Sequence, residues 1–514
     1  MARYINKWII ALIVMLPTLM VIIDTSVVNV SLEQIRGSLS AGIDEATWSI
    51  TSYLAANAII IPMTGWLSSL FGRKRFLLFS VFLFTVTSLL CGLAWNIQSL
   101  IVFRIFQGLA GGSLQPISQT VLLETFPPVQ HGMAMAIFGM GAMLGPIIGP
   151  LLGGWITDNW SWHWIFFVNV PFGIIAVILS AMFISDPHYI KKTNVKIDYP
   201  GLLFLSLWVG CLQMVLDRGQ REDWFESTFI LILTIVAIIS FIMFLMVELN
   251  TDQPVVRLHV FKDYSFSFGN FVMFIVTVNL FGSIVLLPIY LRSLMGYTAS
   301  LAGLVLGPGG VAIFITMPII GRLLTRMNPK TIAVFGVIIL GYAGFLMSHF
   351  NLDADFVTIF WPRAIMGVGM GMIFIPMTTL TLSAIRKEEM GNATSIFNLV
   401  RNLGGSLGVA FVTTMLSSRS QFHQSRLVDH LTQFDSTLFY YSQKAAQALQ
   451  FKGMNPSSAL NGSMGVIYNN LLKQSYMIAF NDTFYFLFIM IMLTVPLIFL
   501  MRYKRPLAKT DKSP

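Results

Sequence analysis

Charge is what this chain has least of. Asp, Glu, Lys and Arg make up 11% of its 514 residues, where soluble domains carry about a quarter, and mean hydropathy is +0.75. A chain so poor in charge cannot cover itself with polar surface, so nearly all of it must sit in lipid. Cysteine is almost absent too. Cys91 and Cys211 are the only two, both within apolar runs, which excludes a disulfide framework; with no His or carboxylate at ligand spacing, no metal site is expected. No phosphate loop of the Walker type occurs, so no nucleotide is expected to drive the protein. No nucleophile with a neighbouring base stands out either, which argues against an enzyme. The excess of 32 basic over 23 acidic residues does not mark a nucleic-acid binder, because the Lys and Arg are dispersed among polar loops rather than clustered.

Long apolar runs are what the sequence has in abundance. Taking about 20 residues as one crossing, spans fall near 8–30, 47–67, 76–96, 98–120, 132–155, 164–184, 199–217, 227–248, 267–291, 299–324, 330–350, 356–384, 391–416 and 478–501. Fourteen crossings put both termini on one side. With the N-terminus inside, 20 basic residues fall on cytoplasmic segments and 4 on short outer loops, so both termini are expected in the cytoplasm. The first span, preceded by Arg3 and Lys7, runs on through Asp24 with no cleavage pattern and is expected to be retained. The tail after Met501, with Arg502, Lys504, Arg505, Lys509 and Lys512, reads as an inside anchor.

A repeat runs through the chain. Shifting by 259 residues carries Arg104 onto Arg363, Gly108 onto Gly367, Gly132 onto Gly391, Gly145 onto Gly404 and Gly149 onto Gly408. Chance alignment among 40 glycines is the alternative, and the paired arginines weigh against it. Duplicated six-helix halves follow, 1–185 and 266–514, with helices 7 and 8 and their flanking loops inserted over 186–265. The expected fold class is all-α and integral to the membrane. The segment 417–473 is the one sizeable region outside the bilayer. It carries Phe422, Phe434, Phe439, Tyr440, Tyr441 and Tyr468, with helical composition over 444–451, and reads either as a solvated outer loop or as a docking surface.

Charges inside spans are costly in lipid and usually face an interior or a water-filled path. Asp24 lies roughly 24 Å along helix 1, and Arg104 lies at a similar depth in helix 4, so the two can pair. The pair reads either as a fixed ion pair or as a proton-coupling device, in which Asp24 takes a proton when Arg104 leaves it. Arg401, about 15 Å into helix 13, is flanked by Asn398 and Asn402 and has Ala142 at its repeat position. It reads as a site attracting an anion, or as packing within helix 13. Arg363 reads as a structural arginine or a substrate contact, and Gln107 and Gln115 join these as candidate substrate contacts. Gly141, Gly145, Gly149 and Gly153 lie four apart on one helical face beside Pro146 and Pro150, which marks close helix packing or a gating hinge.

Several of these residues carry a family resemblance. Arg104 with Gln107 and Gly108 resembles the arginine motif of major facilitator transporters, and Gly141 through Gly145-Pro146 to Gly149-Pro150 resembles their antiporter motif. Asp24 to Val30, Trp162 to Pro171 and Leu216 to Gly219 narrow the likeness to the drug:proton antiporters with fourteen helices. Gly65 to Arg75 resembles the inner-loop motif. There Gly72, Arg73 and Lys74 remain, but Ser69 stands where the family has Asp and Leu70 where it has Arg, so the usual charge latch is in doubt. The resemblance implies a major facilitator fold of two six-helix bundles plus two inserted helices, working by alternating access. It implies export of small hydrophobic substrates driven by the proton motive force, with no bound cofactor. It also implies a bacterial inner membrane, a periplasmic adaptor protein and an outer-membrane channel. Three arginines and one aspartate in the spans favour neutral or weakly acidic cargo over cations. The alternatives are a dedicated exporter of an endogenous product, such as a siderophore or fatty acid, and a membrane receptor that binds without transporting.

Overall fold

An unpaired backbone N–H or C=O in hydrocarbon costs several kcal/mol, so apolar runs of bilayer length must be helical. The computed structural model describes residues 6–186, 197–429, 431 and 436–502; the side chains of Leu144, Pro146, Ile147, Pro150, Leu151, Ala299, Ser300 and Ala302 lie outside the described residues. Within that range the chain forms α1 (Lys7–Ser38), α2 (Ile43–Phe71), α3 (Arg73–Gly92), α4 (Ile97–Gly111), α5 (Leu114–Thr125), α6 (His131–Asn159), α7 (Trp164–Phe167), α8 (Asn169–Phe183), α9 (Tyr199–Arg218) and α10 (Thr228–Asn250). It continues as α11 (Tyr264–Ile289), α12 (Ala299–Leu323), α13 (Pro329–Met347), α14 (Phe356–Leu382), α15 (Met390–Val428), α16 (Ser436–Phe451), α17 (Pro456–Met492) and α18 (Val495–Leu500), with no strand among the described residues. Thirteen segments are long and apolar enough to cross a membrane, with α4 and α5 counted together. The 29-residue α6, which runs through the fifth expected span, brings the crossings to fourteen.

Polar caps mark where helices begin. The Asn96 carboxamide accepts from Ser99 N at 2.7 Å, Asp263 from Phe266 N at 2.9 Å and Asp355 from Thr358 N at 2.9 Å, each satisfying a backbone donor that the helix leaves open.

The arithmetic repeat in the sequence is a repeat of packing. Gly145 and Gly149 of α6 lie against Ile22 and Ser26 of α1, while Gly404 and Gly408 of α15 lie against Phe274 and Val278 of α11. Likewise Gly108 of α4 sits on Tyr53 and Ala56 of α2, and Gly367 of α14 sits on Gly309 and Ala312 of α12. Missing side chains allow backbone contact at each crossing. The stripe on α6 is therefore a packing face toward α1, and the side chains of Pro146 and Pro150 lie outside the described residues. A different α6 face, with Gly132 and Gly139, meets Gly321 and Leu324 near the C-terminal end of α12, together with Met317 and Phe374.

The halves close on one another at the end that carries the turn between α2 and α3. There Gly65 of α2 abuts the Gly391–Asn392 backbone of α15, with an added Cβ only 2.7 Å from Asn392. Toward the N-terminal end of α12, by contrast, Gly303 and Gly307 have nothing within 4 Å.

The inserted α9 bridges α2 and α15. Asp217 accepts from Thr51, and the Arg218 guanidinium donates to Asp44 O at 3.0 Å and Thr47 Oγ1 at 3.1 Å while lying 4.1 Å from the Trp48 ring centre. On the other side Gln213 donates to Ser406 Oγ at 2.7 Å, and Trp224, just past α9, donates to Thr414 at 3.1 Å. Within the Leu216 to Gly219 run, Asp217 and Arg218 thus fasten the insertion to α2, while Gln213 and Trp224 fasten it to α15.

One expectation needs correction. The segment 417–473 is not chiefly loop: α15 runs on to Val428, α16 fills Ser436–Phe451 and α17 starts at Pro456. Asp482 of α17 ties this part together, accepting from Arg419 at 2.7 Å and pairing with His423 at 2.7 Å. Sequence hydropathy ended both spans at the lipid boundary, but a helix keeps its own hydrogen bonds in water and need not stop there. Phe434 and the basic tail residues Lys504, Arg505, Lys509 and Lys512, like Arg3 and the start of the 186–265 linker over 187–196, lie outside the described residues.

Candidate functional site

Asp24 lies on α1 where the helix faces α3, α4 and α8, and it is 1% exposed. Arg104 and Gln107, one turn apart on α4, present the same face to it. Arg104 Nη1 donates to Asp24 Oδ2 at 2.6 Å, Gln107 Nε2 to Oδ1 at 3.0 Å, and Asn169 Nδ2 of α8 to Oδ1 at 2.9 Å. Arg104 is held from behind as well. Its Nε donates to Ser49 O at 3.2 Å, its Nη1 also reaches Gln107 Oε1 at 2.8 Å, and its guanidinium carbon lies 3.9 Å from the centre of the Tyr53 ring. Ser88 of α3 accepts from both Gln107 and Asn169 at 3.0 Å, and the Cys91 thiol donates to Gln107 at 3.4 Å. This is the most deeply buried ion pair among the described residues. A buried pair is tolerated when its remaining donors and acceptors are met, and here most are.

The second polar group joins the halves. Asn398 Nδ2 of α15 donates to Gln119 Oε1 of α5 at 2.6 Å, and Thr120 and Thr394 lie 2.6 Å apart through their hydroxyls. Arg401, one turn beyond Asn398, donates to its Oδ1 at 3.2 Å and lies 4.8 Å from the Phe374 ring centre. No carboxylate pairs with Arg401 among the described residues. Gln115 is half-buried one turn before Gln119, and Gln119 makes the contact to Asn398. Asn402 is half-buried with its Oδ1 unmet. Arg363 is 8% exposed on α14, apart from these groups, with Nη1 facing the Met366 sulphur at 3.2 Å.

The inner-loop residues form a third set. Gly72 takes φ of 87° between α2 and α3, a left-handed value that glycine adopts freely. Arg73 is 5% exposed and pairs with Glu124 of α5. Lys74 N donates to Asp186 Oδ1 at 2.7 Å and its Nζ to Ala181 O at 2.7 Å. Among the described residues Ser69 only returns its hydroxyl to Trp66 O of its own helix. Glu124 and Asp186 thus supply the carboxylates at this turn.

Four partners went unremarked in the sequence, Ser88, Gln119, Glu124 and Asp186, while Asn169 stood within the Trp162 to Pro171 motif without a role of its own. Each is a polar residue inside or at the edge of an apolar run, and that rarity was the available signal. Gln119 also repeats Gln115 at helical spacing.

Comparison with known proteins identifies the family of the whole chain. The family model described as Major Facilitator Superfamily matches residues 14–409. The chain is 37% identical over 473 residues to the multidrug export protein EmrB of Haemophilus influenzae, covering 91% of each chain. It is 34% identical over 485 residues to the fatty acid resistance protein FarB of Neisseria gonorrhoeae, covering 94% of each. Among solved structures, the proton:xylose symporter XylE superposes with a TM-score of 0.61 at 14% identity, covering 96% of this chain and 95% of that one.

Proposed function

The chain belongs to the major facilitator superfamily and is a multi-pass membrane transporter, and on that premise we propose that it exports hydrophobic, neutral or weakly acidic compounds in exchange for protons. The observation that carries the coupling is the buried Asp24–Arg104 pair with Gln107 and Asn169 closing around it. While α4 holds Arg104 against α1, the carboxylate stays ionised. When α4 shifts against α1 within the first half and draws the guanidinium away, a lone carboxylate in hydrocarbon takes up a proton, and the returning arginine expels it. The inner contacts of Gly65, Gln119 and Thr120 with α15 part when the cavity opens to the other side.

Energetically one proton suffices. A single charge crossing 150 mV releases roughly 3.5 kcal/mol, which supports a gradient of a few hundred-fold in a neutral solute. Arg401, with Asn398 and Asn402 beside it, offers an acidic cargo its counter-charge, and Phe374 offers it an apolar face. Export of many drugs by the Haemophilus relative and resistance to fatty acids in the gonococcal one are the activities their names carry, and both fit such a cargo. The second name favours one further reading, a dedicated exporter of an endogenous fatty acid or similar product.

By the same reading the protein lies in a bacterial inner membrane with both termini cytoplasmic. The helices α16 and outer α17 then face the periplasm, where exposed Phe439, Tyr440, Tyr441 and Phe451 suit docking of an adaptor that leads to an outer-membrane channel. Proton flux in proteoliposomes tests the whole. An apolar weak acid and then a fatty acid should each drive flux in the native protein, and Asp24→Asn should abolish it. Flux with fatty acids alone selects the dedicated exporter, and undiminished flux in the variant overturns the coupling role.

A further inference from the structure

The two halves repeat each other at the arginine but not around it. The glycine crossings set the correspondence: Ile22 and Ser26 answer to Phe274 and Val278, and Tyr53 and Ala56 to Gly309 and Ala312. By that register Asp24 corresponds to Val276, Gln107 to Met366 and Tyr53 to Gly309. Arg104 therefore has a carboxylate, a carboxamide and an aromatic face. The corresponding positions around Arg363 hold valine, a thioether and a bare backbone.

The consequences are visible atom by atom. Arg104 Nε donates to Ser49 O, whereas Arg363 Nε is buried with no partner. Arg104 Nη1 meets an oxygen of Asp24 and one of Gln107, whereas Arg363 Nη1 meets the Met366 sulphur, a poor acceptor. Gly309 lets the side chain lie flat on α12, since an added Cβ would stand 2.9 Å from Arg363 Nε. No carboxylate pairs with Arg363 among the described residues. A guanidinium remains charged at any physiological pH, and an unpaired charge removed from water is strongly unfavourable. The first half meets this demand with its own acid. The second half leaves it open.

We propose that Arg363 is an anion-binding site, on α14 where it packs against α12, at which one monovalent anion takes the place that Asp24 takes beside Arg104. The chemistry is that of a halide or of a carboxylate, and the carboxylate source is the head of an amphiphilic acid. This deepens the export reading by giving acidic cargo a second counter-charge, but it stands on binding alone. A fork of guanidinium donors accepts a carboxylate in bidentate fashion, and a bound anion stabilises the folded chain by mass action.

The test uses the purified full chain in detergent, in sulfate buffer at constant ionic strength, with thermal unfolding followed against added chloride, octanoate or neutral octanol. Midpoints should rise with chloride, with octanoate, or with both, and octanol should give no comparable rise. Chloride alone marks an inorganic anion as occupant, and octanoate alone marks the head of an acid. Arg363→Met should weaken the anion response at least tenfold, and Arg326→Gln, at an exposed arginine, should keep it. Val276→Asp supplies the second half with the acid of the first, so it should raise the anion-free midpoint and remove the response. If Val276→Asp does not fold, Arg363→Met decides alone. No anion response in the native chain, a response unchanged in Arg363→Met, or one lost in Arg326→Gln overturns the site. A response without any proton-coupled flux would leave the site standing and the export reading fallen.

Discussion

Asn398 of α15 donates to Gln119 of α5 at 2.6 Å, and this buried bond crosses from one half of the molecule to the other. Beside it the hydroxyls of Thr120 and Thr394 touch at 2.6 Å. Both contacts lie at the end where Gly65 meets Gly391 and Asn392, so alternating access requires them to break.

That requirement can be tested by a reversible lock. In a background of Cys91→Ser and Cys211→Ser, the pair Thr120→Cys and Thr394→Cys is near enough to form a disulfide without moving the backbone far. Mild oxidation should bring transport to background, and reduction should restore it. Full activity in the oxidised, cross-linked protein would show that these helices do not separate in the cycle.

Stability and coupling should part company at the buried ion pair. Asp24→Asn leaves a charged guanidinium without its anion and should cost about 3–5 kcal/mol. Joining it with Arg104→Gln removes the orphaned charge and should recover a large part of that loss, while coupled transport stays absent. Thermal unfolding of the four proteins as a double-mutant cycle reads the interaction directly. A double variant as unstable as the single would mean the charge is not what the single variant loses.

The glycine crossings make a paired prediction. An alanine Cβ at Gly408 would stand 2.5 Å from Val278 O, a backbone atom that cannot give way, whereas one at Gly154 meets nothing within 4 Å. Gly408→Ala should therefore destabilise by about 1–3 kcal/mol through overpacking. Gly154→Ala should be neutral or stabilising by up to about 1 kcal/mol, because glycine is a poor helix former. Equal effects on unfolding midpoint would show that this helix contact is loose.

At the turn between α2 and α3, Arg73 and not position 69 should matter. Arg73→Gln removes the guanidinium that pairs with Glu124 in a largely buried position and should cost about 1–3 kcal/mol. Ser69 is exposed and bonds only within its own helix, so Ser69→Asp, which restores the residue usual at that position, should stay within about 0.5 kcal/mol. Unfolding midpoints and transport rates of the two variants check this, and a rise in transport with Ser69→Asp would return the latch to that position.

Hydropathy made the membrane spans legible from sequence, because a bilayer imposes length and apolarity on each segment separately and both can be read locally. Asp24 and Arg104 were legible for the same reason, since charge inside a span stands out against its neighbours. The limits of α15 and α17 were not legible, because nothing in the side chains stops a helix at the membrane surface. Which segments cross, that the chain repeats, and that one acid and three arginines lie within the spans all follow from the order of residues alone. Who meets whom came only with packing in three dimensions: Asn169 and Ser88 around Asp24, Gln119 with Asn398, Glu124 with Arg73, and Arg363 with no acid beside it among the described residues. These pairings join residues far apart in the chain, and they depend on which helix faces touch. Glycine crossings and the closure of hydrogen bonds across several helices at once settle those faces, and no local stretch of sequence carries that information.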